Sequence, residues 1–154
     1  MSDLRALYQE VILDHYKRPR NFGPLEGADR HADGYNPLCG DRVSVHVKLG
    51  DDGTIEGVSF EGSGCAISTA SASLMTEAVA GRSRDQALAL HRRFHNVLTE
   101  QNGDPDLSGL GKLEALAGVR DHPVRIKCAT LAWHALKAAL ESETKAPERP
   151  VSTE

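Results

Sequence analysis

The chain has 154 residues, 40% hydrophobic and 26% charged, with a formal net charge of -4. That balance suits one folded domain and argues against a fibrous, disordered or membrane-spanning chain, and the mild negative charge gives no electrostatic reason to expect a nucleic-acid partner. No stretch approaches the roughly 20 apolar residues of a membrane span, and Met1-Ser2-Asp3-Leu4-Arg5 has no apolar run after a basic stretch, so a cytoplasmic protein is expected.

Leu4, Leu7, Val11 and either Asp14 or His15 fall at helical spacing, with Ser2 or Asp3 available as N-cap and Pro19 closing the segment. The basic cluster Lys17-Arg18-Pro19-Arg20 reads as the solvated end of that helix. From Asn21 to Gly40 the chain is rich in Gly and Pro and reads mostly as loop, with Arg30 to Gly34 able to pair as an edge strand. Val43, Val45, Val47 and Leu49 alternate with Arg42, Ser44, His46 and Lys48, the period of a strand with one face buried. Gly50-Asp51-Asp52-Gly53 supplies a turn into Ile55 to Phe60, so an antiparallel hairpin is expected.

After Gly62-Ser63-Gly64-Cys65 the run Ala66 to Ala80 reads as a helix that starts at Cys65 and is capped by Gly81. Ser83 with Gln86 forms a capping box for a further helix to about Leu98, ended by Asn102-Gly103-Asp104-Pro105. Leu107, Leu110, Leu113 and Leu116 suggest a short helical piece. Pro123 suits the first position of a last helix, whose stripe Cys128, Leu131 or Ala132, Ala135, Ala139 and Leu140 turns the Cys128 thiol toward the core. Residues 142–154 read as a disordered tail, leaving 1–141 as one domain. Strands followed by helices argue α+β, a small antiparallel sheet packed against several helices.

Chemistry concentrates in three cysteines and an aspartate: Cys39 and Asp41 in Asn36-Pro37-Leu38-Cys39-Gly40-Asp41, Cys65 in its Gly-rich loop, and Cys128 in Arg125-Ile126-Lys127-Cys128. Three thiols cannot all pair as disulfides within one chain, whereas three sulfurs and a carboxylate close a tetrahedral zinc site. Cys39 and Asp41, two residues apart, project to the same side of an extended segment, and Cys65 stands at a helix N-terminus whose dipole favours a thiolate. A single buried cysteine is more often a small core residue than a ligand, and the CxxC pairs of common zinc folds are absent, so chemistry by itself leaves packing and metal binding both open.

Four ordered motifs resolve that choice. Asp14-His15-Tyr16-Lys17-Arg18-Pro19-Arg20-Asn21-Phe22-Gly23, Asn36 to Asp41, Phe60 to Ser68 and Arg125 to Leu131 together resemble the SufU and IscU family of iron-sulfur cluster assembly proteins, over about Leu4 to Leu140. The scaffold branch, IscU, carries histidine before its last cysteine within a Leu-Pro-Pro-Val-Lys segment, where this chain has Lys127 and only His122-Pro123-Val124-Arg125. The additional length between Cys65 and Cys128, near Gly81 to Asp106, is similar to the SufU branch.

That resemblance implies a zinc-dependent sulfurtransferase that accepts persulfide sulfur from a SufS-type cysteine desulfurase and passes it to a downstream iron-sulfur assembly scaffold. The implied ligands are Cys39, Asp41, Cys65 and Cys128, with Cys39 as the sulfur acceptor because it lies in a Gly- and Pro-containing loop that can swing. Three thiolates and a carboxylate leave an excess of two negative charges on a divalent ion, and Arg125, one turn before Cys128, is the expected counter-charge. Two alternatives stand beside this reading: a scaffold holding iron as a transient [2Fe-2S] cluster, and a structural zinc module that only binds partners. His15 is expected to serve structure or docking, and Trp133 to pack the last helix.

Overall fold

A computed structural model describes residues 2–38, 40–99, 107, 109–141 and 151–152. Three helix-free strands follow the first helix α1 (Ser2–Lys17): β1 (Arg30–Asn36), β2 (Asp41–Leu49) and β3 (Ile55–Ser63). They are succeeded by α2 (Ala66–Val79), α3 (Arg84–Thr99), a 3₁₀ helix (Gly111–Asp121), α4 (Pro123–Glu141) and the two-residue strand β4 (Val151–Ser152). The sheet order is β3-β2-β1-β4, antiparallel except for the parallel β1/β4 pair. This is the expected α+β architecture.

Alternation along β2 buries Val43, Val45 and Val47 on one face, and pairing extends that face to Ala32 on β1 and to Val58 and Phe60 on β3. Helix α4 covers it closely enough that a Cβ on Gly34 would stand 3.0 Å from Leu131. The other face carries polar partners, including His46 bonded to Glu61 at 2.9 Å and Ser44 to Asp33 at 2.6 Å. Helix α2 packs between α4 and α1. Ser71 on α2 donates to the Ala129 carbonyl and accepts the Trp133 indole N–H at 3.2 Å, so a polar bridge lies inside an otherwise apolar contact. Trp133 is fully buried, as its place on the last helix implied.

The first motif acts here as a structural clamp. His15 is buried, its Nδ1 lies 2.7 Å from the Ser73 hydroxyl, and the Arg20 backbone N–H donates to the same oxygen at 2.8 Å, tying the end of α1 to α2. Arg18 and Arg20 both bond the Asp14 carboxylate, which holds it below the usual carboxylate range, so these arginines of the basic cluster are partnered.

Two expectations change. The segment read as an edge strand from Arg30 to Gly34 runs on to Asn36 and lies between β2 and β4. Within the stretch read as a disordered tail, Val151–Ser152 lies beside Gly34 and Tyr35 of β1, and the remainder of that stretch is outside the described residues, as is the break expected at Asn102 to Pro105. Among the described residues no helix is long and apolar enough to cross a membrane.

Candidate metal centre

The strand ends and helix starts meet at one edge of the molecule. Gly62 pairs with Val43 at a φ of +143° that side-chain-bearing residues rarely adopt, and β3 ends one residue later at Ser63, paired with Arg42, two residues before Cys65. Cys65 is the N-cap of α2: its Sγ accepts the Ser68 backbone N–H at 3.4 Å, the role more often filled by Ser or Asp. Its own N–H donates to Asp41 Oδ1 at 3.0 Å, so the first residue of β2 and the cap of α2 are locked together. Cys128 comes from the second turn of α4 and is buried.

One donor atom each from Asp41, Cys65 and Cys128 lies within 4.8 Å of the others, and this is the single such group of three metal-binding side chains among the described residues. Asp41 and Cys128 are buried while Cys65 is exposed, so the group has a dry floor and an open side. Two sulfurs and a carboxylate in this arrangement are suited to zinc or iron. Cys39, the remaining expected ligand and the expected acceptor, lies outside the described residues. Its neighbour Gly40 donates its N–H to the Asn36 carbonyl at 2.8 Å and has φ +72°, closing a tight turn that begins Asp41 and β2.

Asn36 is a participant that residue types alone did not single out. It is fully buried; its Oδ1 accepts the Leu38 N–H at 3.1 Å, and its Nδ2 lies 3.7 Å from Cys128 Sγ, positioned to donate to it. One amide thus shapes the loop that carries Cys39 and solvates the Cys128 sulfur. The signal was present in the Asn-Pro pair, since Asn side chains commonly bond backbone two residues on. Arg125 is exposed and borders a groove together with Tyr8, Ile12 and Glu114.

Residues 7–147 match the model of the NifU-like N terminal domain. The chain is 47% identical over 146 residues to the iron-sulfur cluster assembly scaffold protein IscU of Streptococcus pyogenes serotype M1, covering 95% of this chain and 90% of that protein. It is 44% identical over 142 residues to the zinc-dependent sulfurtransferase SufU of Bacillus subtilis (strain 168), covering 92% and 95% respectively. The crystal structure of an iron-sulfur cluster assembly scaffold protein for the SUF system of Fervidobacterium islandicum AW-1 superposes with a TM-score of 0.77 at 33% identity, covering 89% of this chain and 98% of that one. The chain therefore belongs to the NifU/IscU/SufU family of iron-sulfur cluster assembly proteins.

Proposed function

We propose that this protein is a zinc-dependent sulfurtransferase of iron-sulfur cluster assembly, taking persulfide sulfur from a SufS-type cysteine desulfurase and handing it to a downstream assembly scaffold. The observation that carries this reading is the convergence of Asp41, Cys65 and Cys128 within 4.8 Å at the end of the loop that bears Cys39. Lys127 before the last cysteine and helix α3, which occupies the additional length between Cys65 and Cys128, both support the transferase branch.

Asp41, Cys65, Cys128 and Cys39 would hold the zinc, and Arg125 would offset their excess negative charge. Bound zinc keeps its cysteine ligands as thiolates at neutral pH. In the transfer, the Cys39 thiolate attacks the terminal sulfur of the donor persulfide. A sulfur–sulfur bond to Cys39 forms as the bond within the donor breaks, and the electron pair leaves on the donor thiolate, so no external oxidant is consumed. Asp41, Cys65 and Cys128 are fixed by a strand and two helices and stay in place, while the loop between Asn36 and Asp41 gives Cys39 its reach.

The test is to incubate the protein with desulfurase and cysteine and to measure persulfide by mass spectrometry. Wild type gains sulfur on Cys39 and accelerates the desulfurase, and Cys39→Ala does neither. A Cys39→Ala protein that accepts sulfur like wild type sinks the assignment. The 47% identity to a protein named a scaffold favours a second reading, in which the same ligands build a transient [2Fe-2S] cluster. Anaerobic reconstitution separates the two: a coloured cluster that moves to an apo-protein supports the scaffold, and stoichiometric zinc with desulfurase activation supports the transferase.

A further inference from the structure

A second group of donors lies where α3 packs on α4. His91 and His95 are four residues apart on α3, so their rings share one helical face, and α4 presents His134 to both. Ring centroids are 5.4 Å apart for His91 and His134, 5.6 Å for His95 and His134, and 6.2 Å for His91 and His95. Two imidazoles sharing a tetrahedral ion, with metal–nitrogen bonds of about 2.0–2.1 Å, have centroids about 5 Å apart. The three rings stand close to that spacing. Their nitrogens converge less tightly than the donors of Asp41, Cys65 and Cys128, so an ion shared by all three requires the half-buried His95 and His134 rings to turn toward a common point.

The innermost ring shows the need for a partner. His91 is only 8% exposed and its Nε2 makes no hydrogen bond, a costly state for a buried nitrogen. The ring borders a cleft of about 400 Å³ shared with His95 and His134. Burial, followed by the charges of the neighbouring histidines, pushes His91 down to about 4, and burial also lowers His134. Arg92 and Lys137 at the rim are exposed and carry their charge into water, and Glu141 adds a carboxylate beside them.

We propose that His91, His95 and His134 form a second metal site, for a divalent first-row transition ion of the imidazole-preferring class such as zinc, nickel or copper. It is separate from the cysteine cluster: His134 lies six residues beyond Cys128, about 9 Å along α4 and on another face of the helix. An ion there would fasten α3 to α4.

The full chain, already carrying one equivalent of zinc, is titrated with Co2+. The expected result is one further equivalent, seen as visible d–d absorption without a thiolate charge-transfer band and with a rise in melting temperature. His95→Gln and His134→Gln each remove that equivalent while leaving the far-UV spectrum and the first metal equivalent unchanged. Absence of a further equivalent in wild type overturns the proposal. So does a further equivalent that carries thiolate charge transfer, or one that survives in both variants.

Discussion

Gly64→Ala separates metal binding from folding. A Cβ at residue 64 would stand 2.8 Å from Asp41 Oδ1, 3.1 Å from Asp41 Cγ and 3.2 Å from Ser68 Oγ. Gly64 does not occupy the left-handed region, so the substitution brings no backbone strain. The conflict falls on the Asp41 carboxylate, which is 1% exposed and held by the Cys65 N–H at 3.0 Å. A shift of a few tenths of an ångström relieves the clash and stretches that bond. A hydrogen bond to a charged group is worth about 1.5–3 kcal/mol, and weakening it while turning the carboxylate away from the two sulfurs should cost about ten- to a hundredfold in zinc affinity. Global stability should fall less, because Gly to Ala reduces unfolded-chain freedom and returns about 0.4–1 kcal/mol. The assay is competition for zinc with a chromogenic chelator, run beside urea unfolding of the metal-free protein. Zinc affinity equal to wild type would refute the reasoning, as would a collapse in stability that accounts for the metal loss.

Gly62→Ala should behave in the opposite way, because its Cβ would collide with the Arg42 carbonyl at a φ of +143°. A loss of about 3 kcal/mol in metal-free urea unfolding is expected, and an unchanged midpoint contradicts it. Ser71→Ala strips the Trp133 indole N–H of its acceptor inside the α2/α4 contact, for a cost of about 1–3 kcal/mol. In a double-mutant cycle with Trp133→Phe most of that cost should vanish, and full additivity would argue against the bridge. His15 has its ring held below its ordinary value, chiefly by burial and then by the Arg20 charge, with Glu77 opposing. The unfolded chain therefore binds the extra proton first. The stability His15 contributes is complete above pH 6.5 and is lost as pH falls through 6.5 toward the lower folded value. His15→Gln should flatten the difference in stability between pH 7 and pH 5, measured by urea unfolding, and an unchanged slope assigns the pH dependence elsewhere.

Local chemistry was readable wherever one residue satisfies its own neighbourhood. The reciprocal capping box is present as expected, with the Ser83 N–H on Gln86 Oε1 at 3.0 Å and the Gln86 N–H on Ser83 Oγ at 3.1 Å. The alternating valines of β2 and Pro123 at the start of α4 follow the same logic. The leucine run was half legible. Leu107, Leu110, Leu113, Leu116 and Val119 recur every three residues, the period of a 3₁₀ helix, and from Leu110 onward this ladder is buried. Read as a generic helical piece, it hid both its type and its extension to Asp121. What the sequence could not display was partnership across the chain. Neither the Asn36 amide beside Cys128 nor the meeting of His91, His95 and His134 follows from local spacing, because each depends on how α4 lies against its neighbours. Strand β4 was hidden for a related reason: two residues carry no periodicity, and only an available strand edge gives them a place.

The donor cluster draws one group from the first residue of β2, one from the cap of α2 and one from α4. During synthesis, Asp41 and Cys65 leave the ribosome well before residue 128, so an unfinished chain offers an ion only an incomplete grip. On the proposed function, the complete site would form only once α4 has been made and has settled against the sheet, and possession of the ion would then mark a newborn protein that has matured.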